Sequence, residues 1–321
     1  MKVNEFTSIE ICAGAGGQAL GLEIAGFRHI ACVENDPGAI ATLSFNRGNS
    51  WGVTQADVRD WEYSGTSEVT LLAGGVPCPP YSIAGKQLGE SDERDLFPEI
   101  IRLTSEIKPR VVLVENVRGL LSSKFAGYRS KILESFYELG LKGEWKLLQA
   151  ADFGVPQLRP RSVLVCMKPN DFEHFEWPVP LDGPRTTVGE VLKESMAENG
   201  WLGVEEWAKS ASSIGPTLVG GSKKHGGADL GPSRAKAEWA KLGIDGLGLA
   251  NETPGRDFVG MPRLTVFQAM LIQGFPASWK IIGKKTSAYR QVGNAFPPPV
   301  ACALGISIIN ALKLSDKQSK K

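Results

Sequence analysis

One cysteine of this chain stands in an unusual setting. Cys78 lies in the stretch LLAGGVPCPPYS, where Pro77 precedes it and Pro79 and Pro80 follow it. Proline fixes its own φ angle near about −65° and has no N–H group to donate, so such a stretch holds the thiol in a rigid pose. A buried structural cysteine has no need of that pose. We therefore predict that Cys78 is a nucleophile.

A carboxyl group is expected beside this thiol. Glu115 ends the apolar run RVVLVEN, just as Cys78 follows the apolar run VTLLAGG. In open α/β folds the carboxyl ends of parallel strands meet at the sheet edge where ligands bind, so both side chains should lie there. The pair suggests a nucleophile and its acid–base partner. A carboxylate would raise the pKa of the thiol, so another group must hold the electrophile.

A glycine-rich turn joins the first predicted strand to the first predicted helix. In AGAGGQALG, Gly14, Gly16 and Gly17 let the backbone turn tightly and approach a ligand at the helix N-terminus. Glu34 ends the next strand, where an acid would hold the hydroxyl pair of a ribose. Asp57 could bond an adenine amino group, although a loop aspartate equally often caps a helix. A NAD-dependent dehydrogenase and a methyltransferase that binds S-adenosylmethionine both stay open.

The elements that must position these residues alternate along the first half of the chain. Short β-rich runs alternate with helical stretches as far as Gly140, which predicts an α/β fold with βαβ units around a mostly parallel sheet. The runs WKLLQAADF and RSVLVCMK predict two more strands, as a hairpin that closes the sheet. Helices are predicted at 17–26, 37–46, 97–107, 125–140, 188–197, 234–242 and 298–312, with Thr265 as the N-cap of another.

The composition and the pattern of predicted elements change after residue 168. From Pro169 to Gly260 the chain is rich in Gly, Pro, Ser and Trp, and strands no longer alternate with helices. We assign this stretch to a second, smaller module. The predicted organisation is a catalytic and cofactor-binding domain at 1–168, the module at 169–260, and a segment at 261–321 that returns to the catalytic domain.

Composition indicates a globular protein. Of 321 residues, 42% are hydrophobic and 22% charged, enough for a full-sized core. No apolar run reaches the roughly 18 residues that cross a bilayer, and the start of the chain lacks a signal-peptide core, so we expect a cytoplasmic protein with no membrane partner. The net charge of +1 does not by itself indicate a nucleic-acid partner.

The other cysteines suggest neither a disulfide framework nor a structural zinc site. The chain has five cysteines, widely spaced and without a CxxC pair, and we expect no metal. Cys12, Cys32, Cys166 and Cys302 lie in apolar stretches and are expected to be small buried hydrophobic residues.

A series of motifs follows one another along the chain. The motifs are ICAGAGGQALGLEIAGF, VENDPGAIATLSFN, GGVPCPPYS, RDLFPEIIR, VENVRGLL, FGVPQLRPRSVLV, RLTVFQAMLIQGFP and YRQVGNAFPPPV. In this order and at this spacing they resemble the motifs of the DNA (cytosine-5) methyltransferases, most closely the bacterial restriction–modification type. The resemblance covers nearly the whole chain outside 169–260. It implies the doubly wound, mostly parallel sheet of S-adenosylmethionine-dependent methyltransferases and a smaller, irregular target-recognition domain.

The resemblance implies a role for each matching residue. Cys78 is the nucleophile, Glu115 binds the target cytosine, and Arg159 and Arg161 of QLRPR brace the catalytic loop and the base. The cofactor is S-adenosylmethionine. The implied cofactor-binding residues are Cys12, Ala13, Gly14, Gly16, Gly17, Glu34, Asn35, Asp57, Val58, Pro77, Leu96, Asn294 and Ala295.

The implied reaction explains these residue types. Cytosine C5 is a poor nucleophile until a thiolate adds at C6, which makes Cys78 a covalent catalyst. Glu115 would form hydrogen bonds with N3 and the exocyclic amine of the cytosine, and Arg161 could donate one to O2, where charge develops. Because the target atoms are stacked inside a duplex, the cytosine must be flipped out. The polar stretch 82–95 is the predicted mobile loop that closes on it.

Recognition of the target DNA sequence is expected to come mainly from residues 169–260. Within it, VGGSKKHGGADLGPSR combines glycines, which let a loop follow a groove, with Lys and Arg, the commonest partners of guanine. An exposed flexible loop is the plainer interpretation. The predicted DNA-binding residues are Ser82, Lys86, Lys223, Lys224, Arg234 and Arg263.

Three residues depart from the family pattern. Pro79 stands where glutamine is usual, Cys12 where an aromatic residue is usual, and Gln268 where glutamate is usual. These departures bear on loop contacts to DNA, on stacking against the cofactor, and on a structural link. None removes a group that the reaction requires.

Three other functions account for only part of the sequence. A transfer RNA cytosine methyltransferase shares the fold, but the sizeable module at 169–260 favours double-stranded DNA. A NAD-dependent oxidoreductase would leave Cys78, Glu115 and the two arginines without a role, and a catalytically silent DNA-binding protein would not need Cys78 and Glu115. We expect an enzyme that acts as a monomer and is paired in function with a cognate restriction endonuclease.

Overall fold

The computed structural model describes residues 6–76, 95–221 and 227–319 of the chain. Predictions for residues outside these ranges stay predictions. They concern Pro77, Cys78, Pro79, Ser82, Lys86, Lys223, Lys224 and the loop at 82–94.

A seven-stranded sheet in the order β3-β2-β1-β4-β5-β8-β6 forms the centre of the fold. The strands from β3 to β5 are parallel, whereas β8 runs antiparallel to both β5 and β6. The predicted sheet and its closing hairpin are therefore confirmed. The strands are β1 (Thr7–Ile11), β2 (Arg28–Glu34), β3 (Val53–Gln55), β4 (Leu71–Gly75), β5 (Val111–Val117), β6 (Lys142–Gln149), β7 (Gln157–Leu158), β8 (Pro160–Met167) and β9 (Gly215–Pro216), of which β7 and β9 form a separate parallel pair.

The predicted helices are present, with small shifts at their ends. The last one extends past Leu312 because the sequence continues with good helix formers. The helices are α1 (Gly17–Ala25), α2 (Pro37–Arg47), α3 (Phe97–Ile107), α4 (Ala126–Glu138), α5 (Pro169–Phe172), α6 (Val188–Met196), α7 (Val204–Ser210), α8 (Ser233–Lys241), α9 (Val266–Ile272), α10 (Lys285–Asn294) and α11 (Pro298–Gln318).

Helices cover both faces of the sheet. Alternate residues of β5 point to opposite sides: Leu113 packs with α1 and α11, while Val114 packs with α3 and α4. A parallel strand buried on both faces is apolar along its length rather than alternating, as the run VVLV shows. The sheet is therefore doubly wound, as predicted.

One apolar segment is longer than the sequence analysis expected. Within the described ranges, the helical stretch Lys285–Gln318 holds an 18-residue window of mean hydropathy 1.6, long and apolar enough to cross a membrane by length and composition. Of that window 67% is buried inside the protein, and α11 packs against α1. The expectation that no run reaches this length is wrong here, and the reason is that α11 is a core helix.

The described apolar residues of 169–260 share a core with the rest of the fold. Leu192, Trp207 and Trp239 belong to one apolar cluster with Trp51, next to β3, and Trp279, in the C-terminal segment. The aromatic side chains at 172–177 pack instead on the cluster under α11. This stretch is therefore held by packing on the rest of the fold.

The N-terminus of α9 explains how Gln268 replaces the usual glutamate. Thr265 caps the helix, as predicted, by accepting a hydrogen bond from the Gln268 N–H at 3.1 Å. The Gln268 amide oxygen accepts one from the Thr265 N–H at 2.9 Å, which completes a capping box. A glutamine serves this link as well as a glutamate, because both supply a carbonyl-type acceptor.

Candidate active site

Strands β4 and β5 bring Glu115 to the carboxyl edge of the sheet. Glu115 pairs in register with Gly75, the last residue of β4, and its side chain is 8% exposed. A Cβ on Gly75 would stand 3.3 Å from Glu115 Oε2, so the carboxyl lies directly over this glycine. The chain then reaches Cys78 three residues after Gly75.

Asn116, which the sequence analysis did not single out, links the ends of these two strands. Its buried side-chain amide donates to the Val76 carbonyl at 3.5 Å, and its oxygen accepts from the Val117 N–H at 2.8 Å. A polar residue directly after Glu115 at the end of an apolar strand was the available signal. Asn116 therefore holds the point at which the chain leaves β4.

Arg161 on β8 forms an ion pair with Glu115. The Nε···Oε1 distance is 2.7 Å, and both side chains are largely buried. Burial raises the pKa of Glu115 above the usual carboxyl value, and the Arg161 and Arg159 guanidiniums offset only part of this effect. A carboxyl with a raised pKa can hold a proton closer to neutral pH, as a proton donor must.

Arg159 makes a different set of contacts. Its buried guanidinium donates to the carbonyls of Leu218 at 2.8 Å, Gly293 at 2.8 Å and Ala295 at 2.9 Å. These carbonyls belong to the segment after β9 and to the end of α10. Arg159 therefore ties the region at 169–260 to the C-terminal segment, whereas Arg161 is the arginine in contact with Glu115.

The glycine turn lies at the same edge, at the start of α1. Gly14 and Gly16 adopt positive φ angles of 52° and 83°, which favour glycine. Glu34, at the end of β2, accepts hydrogen bonds from the backbone N–H groups of Gly14 at 2.8 Å, Asn35 at 2.9 Å and Asp36 at 2.8 Å. The predicted acid and the predicted turn are thus in direct contact.

Cys12, Val58 and Leu96 come together beside this turn. Val58 and Leu96 are buried in one apolar cluster, and Cys12 packs against that cluster. Burial, and then the nearby carboxylates of Glu34 and Asp57, raise the pKa of the Cys12 thiol, which therefore stays neutral. Asp57 also accepts from the Arg59 N–H at 3.0 Å, a contact within a turn. No helix begins at this point of the described chain, so the alternative role of Asp57 as a helix cap is wrong.

The expectation that all four other cysteines are buried is wrong in two cases. Cys32 and Cys166 are buried, but Cys12 and Cys302 are only half-buried. Cys12 lies at the end of β1 with a φ angle of 51°, where the chain leaves the sheet, and Cys302 lies on one side of α11. An apolar local sequence does not determine which side of an element is covered.

The C-terminal segment returns to the glycine turn through Ala295 and Phe296. A Cβ on Gly17 would stand 3.3 Å from the Ala295 Cβ and would overlap the Phe296 carbonyl oxygen. The Asn294 side chain instead is exposed and donates to the Gly221 carbonyl at 3.2 Å. Of the two residues predicted here, Ala295 is the one that contacts the turn.

The predicted DNA-binding residues in the described ranges lie on the surface. Arg234 is exposed on α8, and Arg263 forms an exposed ion pair with Asp245 at 2.7 Å. Each is accessible to a ligand.

Replacing Gly17 by Ala is expected to destabilise the protein by about 1–3 kcal/mol, because the new methyl group collides with backbone that cannot move independently. Thermal unfolding should show a lower Tm. The matched control is Gly127→Ala near the start of α4, where no atom lies within 4 Å and alanine is the better helix former. Equal Tm values for the two variants would contradict this account.

The sequence pattern of the family described as C-5 cytosine-specific DNA methylase matches residues 6–310. The Type II methyltransferase M.NaeI of Lentzea aerocolonigenes is 54% identical over 312 residues, which cover 95% of this chain and 75% of that protein. The Type II methyltransferase M.NgoMIV of Neisseria gonorrhoeae is 52% identical over 312 residues, which cover 96% of this chain and 99% of that protein.

Solved structures share the fold. A putative DNA modification methyltransferase encoded within a prophage of E. coli superposes with a TM-score of 0.68 at 22% identity, covering 96% of this chain and 99% of the other. A mutant of DNMT2 from Spodoptera frugiperda gives a TM-score of 0.65 at 17% identity, covering 95% and 99%.

Proposed function

The chain belongs to the C-5 cytosine-specific DNA methylase family, and we propose that it is the protective methylase of a restriction–modification system. It is a DNA (cytosine-5) methyltransferase, as the motif series indicated, and its cofactor is the S-adenosylmethionine that the family uses. In the proposal it modifies C5 of one cytosine within a short sequence of double-stranded DNA.

The observation that supports the assignment of catalytic residues is the position of Glu115. It is buried over Gly75 and paired with Arg161, and Cys78 is the third residue after Gly75. A nucleophile and a proton donor at one sheet edge are what addition to cytosine requires.

The residues around the glycine turn fit the cofactor. Gly14 has open space where a Cβ would stand, the N-terminus of α1 follows, and Glu34 is a carboxylate suited to a ribose hydroxyl pair. Cys12 and Leu96 offer an apolar surface for the adenine ring. When bound, S-adenosylmethionine supplies an electrophilic methyl group.

The protein residues act on the cytosine. The Cys78 thiolate adds to C6, while Glu115 donates a proton to N3 and so stabilises the charge that develops on the ring. Arg161 orients Glu115 through its 2.7 Å ion pair and can also donate to O2 of the base. A base, either a water or a side chain, then removes the C5 proton, the Cys78 thiolate leaves, and N3 returns its proton to Glu115.

Methylation of a random-sequence DNA library, read by bisulfite-type sequencing, tests this function. The expected result is 5-methylcytosine at a single position within one short sequence. Modification of transfer RNA without modification of DNA would overturn the proposal in favour of the alternative substrate. A NAD-dependent oxidoreductase finds no support in the family match.

The remaining parts of the proposal concern the cell. The enzyme acts in the cytoplasm, on the nucleoid, as a monomer, and its methylation protects sites that a cognate endonuclease would cut. Co-expression with restriction endonucleases tests this protection. DNA methylated by this enzyme should resist cleavage by an endonuclease of one sequence specificity, whereas unmethylated DNA should be cut.

Replacing Lys223, Lys224 and Arg234 singly by Ala is expected to distinguish readers of sequence from phosphate contacts. A lost base contact should relax specificity at one position by about 1–3 kcal/mol, whereas a lost phosphate contact should weaken binding to all sequences alike. Sequencing of methylated libraries and binding titrations measure the two effects.

The matched control is Lys241→Ala on α8, the helix that also carries Arg234, since Lys241 is paired with Glu238 at 2.8 Å. This variant should resemble the wild type. If all three test variants also keep wild-type site choice and affinity, the stretch VGGSKKHGGADLGPSR does not recognise the DNA sequence.

A further inference from the structure

Two buried polar side chains lie behind the proposed active site without a role in it. Glu10 on β1 is 1% exposed and Gln18 on α1 is 3% exposed. Within the described part of the chain, Glu10 Oε2 and both polar atoms of the Gln18 amide have no hydrogen-bond partner. A buried polar group without a partner destabilises a fold, so packing alone does not explain these two side chains.

The sheet places Glu10 on the same face as Glu115. Glu10 pairs with Ala73 on β4, and Ala73 pairs with Leu113 on β5, two residues before Glu115. On this face β4 presents only Ala73 and Gly75 between the two carboxyls. Because these residues are small, no β4 side chain separates Glu10 from Glu115.

Gln18, on α1, lies on this same face of the sheet, over the small residues that separate Glu10 from Glu115. It lies one helical turn before Leu22, and residues four apart share one face of a helix. Leu22 packs in the cluster that contains Ala73 and Leu113, so Gln18 lies one turn nearer the carboxyl edge. Its amide can both donate and accept, and ordered water is the usual partner of such a buried group.

The two carboxyls are coupled. Burial, and then the nearby Glu115, raise the pKa of Glu10 well above the usual carboxyl value. Arg161 and Arg159 act on Glu115 in the opposite sense. Glu115 is ion-paired with Arg161 at 2.7 Å, whereas Glu10 Oε2 has no hydrogen-bond partner within the described part of the chain. When the pair holds a single proton, the arrangement favoured by these contacts is therefore a protonated Glu10 beside an ionised Glu115.

Other titratable groups near Glu10 are neutral around pH 7. Burial raises the pKa of the Cys32 thiol, which faces Glu10 from β2, and burial likewise raises the pKa of Cys12, at the end of β1. His29 lies deeper on this face, bonded to Ser8, and burial lowers its pKa. Glu115 is thus the charged group with the most direct effect on the pKa of Glu10.

We propose that Glu10 is a positioning residue that stores the proton which Glu115 delivers to the cytosine. The proposal rests on the methylation reaction described above. As the Cys78 S–C6 bond forms and the C5–C6 double bond breaks, the single proton of the pair passes from Glu10 through water beside Gln18 to Glu115, and Glu115 passes it on to N3. Both carboxyls are then ionised, with Glu115 paired to Arg161. When the thiolate leaves, N3 returns its proton and the pair is restored.

Glu10→Gln tests the proposal, because it keeps the shape and removes the exchangeable proton. We expect a methylation rate lower by roughly 10-fold. This is less than the loss of a general acid itself would cause, because Glu115 is still present. The alkaline limb of the pH–rate profile should also move to lower pH, since Glu115 itself would then have to hold the proton for N3, and its arginines favour the ionised carboxylate. Cofactor affinity and Tm should change little.

Three further variants complete the test. Glu10→Asp restores a carboxyl and should restore the wild-type pH profile. Glu23→Gln removes a carboxyl on α1 instead, one that is paired with Arg47 at 2.7 Å, and should leave the profile unchanged. Gln18→Leu should slow methylation with both carboxyls present, and it serves as the test if Glu10→Gln does not fold.

An unchanged pH profile in Glu10→Gln, or a wild-type rate in Gln18→Leu, would overturn the role of Glu10. A shift in Glu10→Asp as large as that in Glu10→Gln would also overturn it, because shape rather than the proton would then matter. Failure of the wild-type protein to methylate any DNA would instead contradict the proposed function.

Discussion

A DNA duplex with 5-fluorocytosine at the target position is expected to trap the protein covalently. If the Cys78 thiolate adds to C6, the methyl group can be transferred, but the later step requires the C5 substituent to leave as a proton. Fluorine cannot leave as a cation, so the reaction stops at the adduct. The complex should survive denaturing electrophoresis and should need S-adenosylmethionine for full yield.

Cys78→Ser should form no adduct, because a hydroxyl group is a far poorer nucleophile near neutral pH. The matched control is Cys302→Ser, which changes a half-buried thiol on α11 and should leave the adduct yield intact. If the wild-type protein methylates a site and yet forms no adduct on its fluorinated copy, the covalent mechanism is wrong.

Glu115→Gln is expected to lower the methylation rate by roughly 10²-fold or more while cofactor binding is retained, which is the range for removing a proton donor or an oxyanion-type contact. The amide keeps the size of the carboxyl over Gly75 but cannot give its proton to N3. Single-turnover rates and calorimetric cofactor titrations measure the two properties separately.

Glu99→Gln is the control for this variant. Glu99 forms a comparable ion pair with Arg102 at 2.8 Å on α3, away from Glu115, and its replacement should leave the rate unchanged. An undiminished rate in Glu115→Gln would remove Glu115 from the mechanism.

The architecture followed from local patterns. Runs such as VVLVEN are too short and too β-branched for helices, and their alternation with helical stretches permits few topologies other than a parallel sheet with helices on both faces. Turn chemistry acted at the same short range, as Gly16 and Thr265 show at the starts of α1 and α9.

Part of the site was predictable for the same reason. Parallel strands end at a common edge, so Glu115 was expected beside the end of β4, and the structure places it in register with Gly75. The expected contact between Glu34 and the glycine turn rests on the same rule, because β1 and β2 are neighbours in the sheet.

The two arginines of QLRPR show where sequence reasoning ended. Both are positive and two residues apart, and nothing local distinguishes them. Arg161 lies on β8 opposite Val117 and contacts Glu115, whereas Arg159 precedes that strand and meets carbonyls of residues far along the chain. Contacts between distant segments depend on packing that no local pattern encodes.

The sequence by itself determined the family, the order of strands and helices, and the residues whose chemistry suits addition to a cytosine, because these depend on residue type and short-range spacing. Only the tertiary structure decided that Arg161 rather than Arg159 pairs with Glu115, and that Glu10 and Gln18 lie behind Glu115. The physical reason is that burial and long-range contact, which set the pKa of a carboxyl, arise only when β8 pairs with β5 and α1 packs on the sheet.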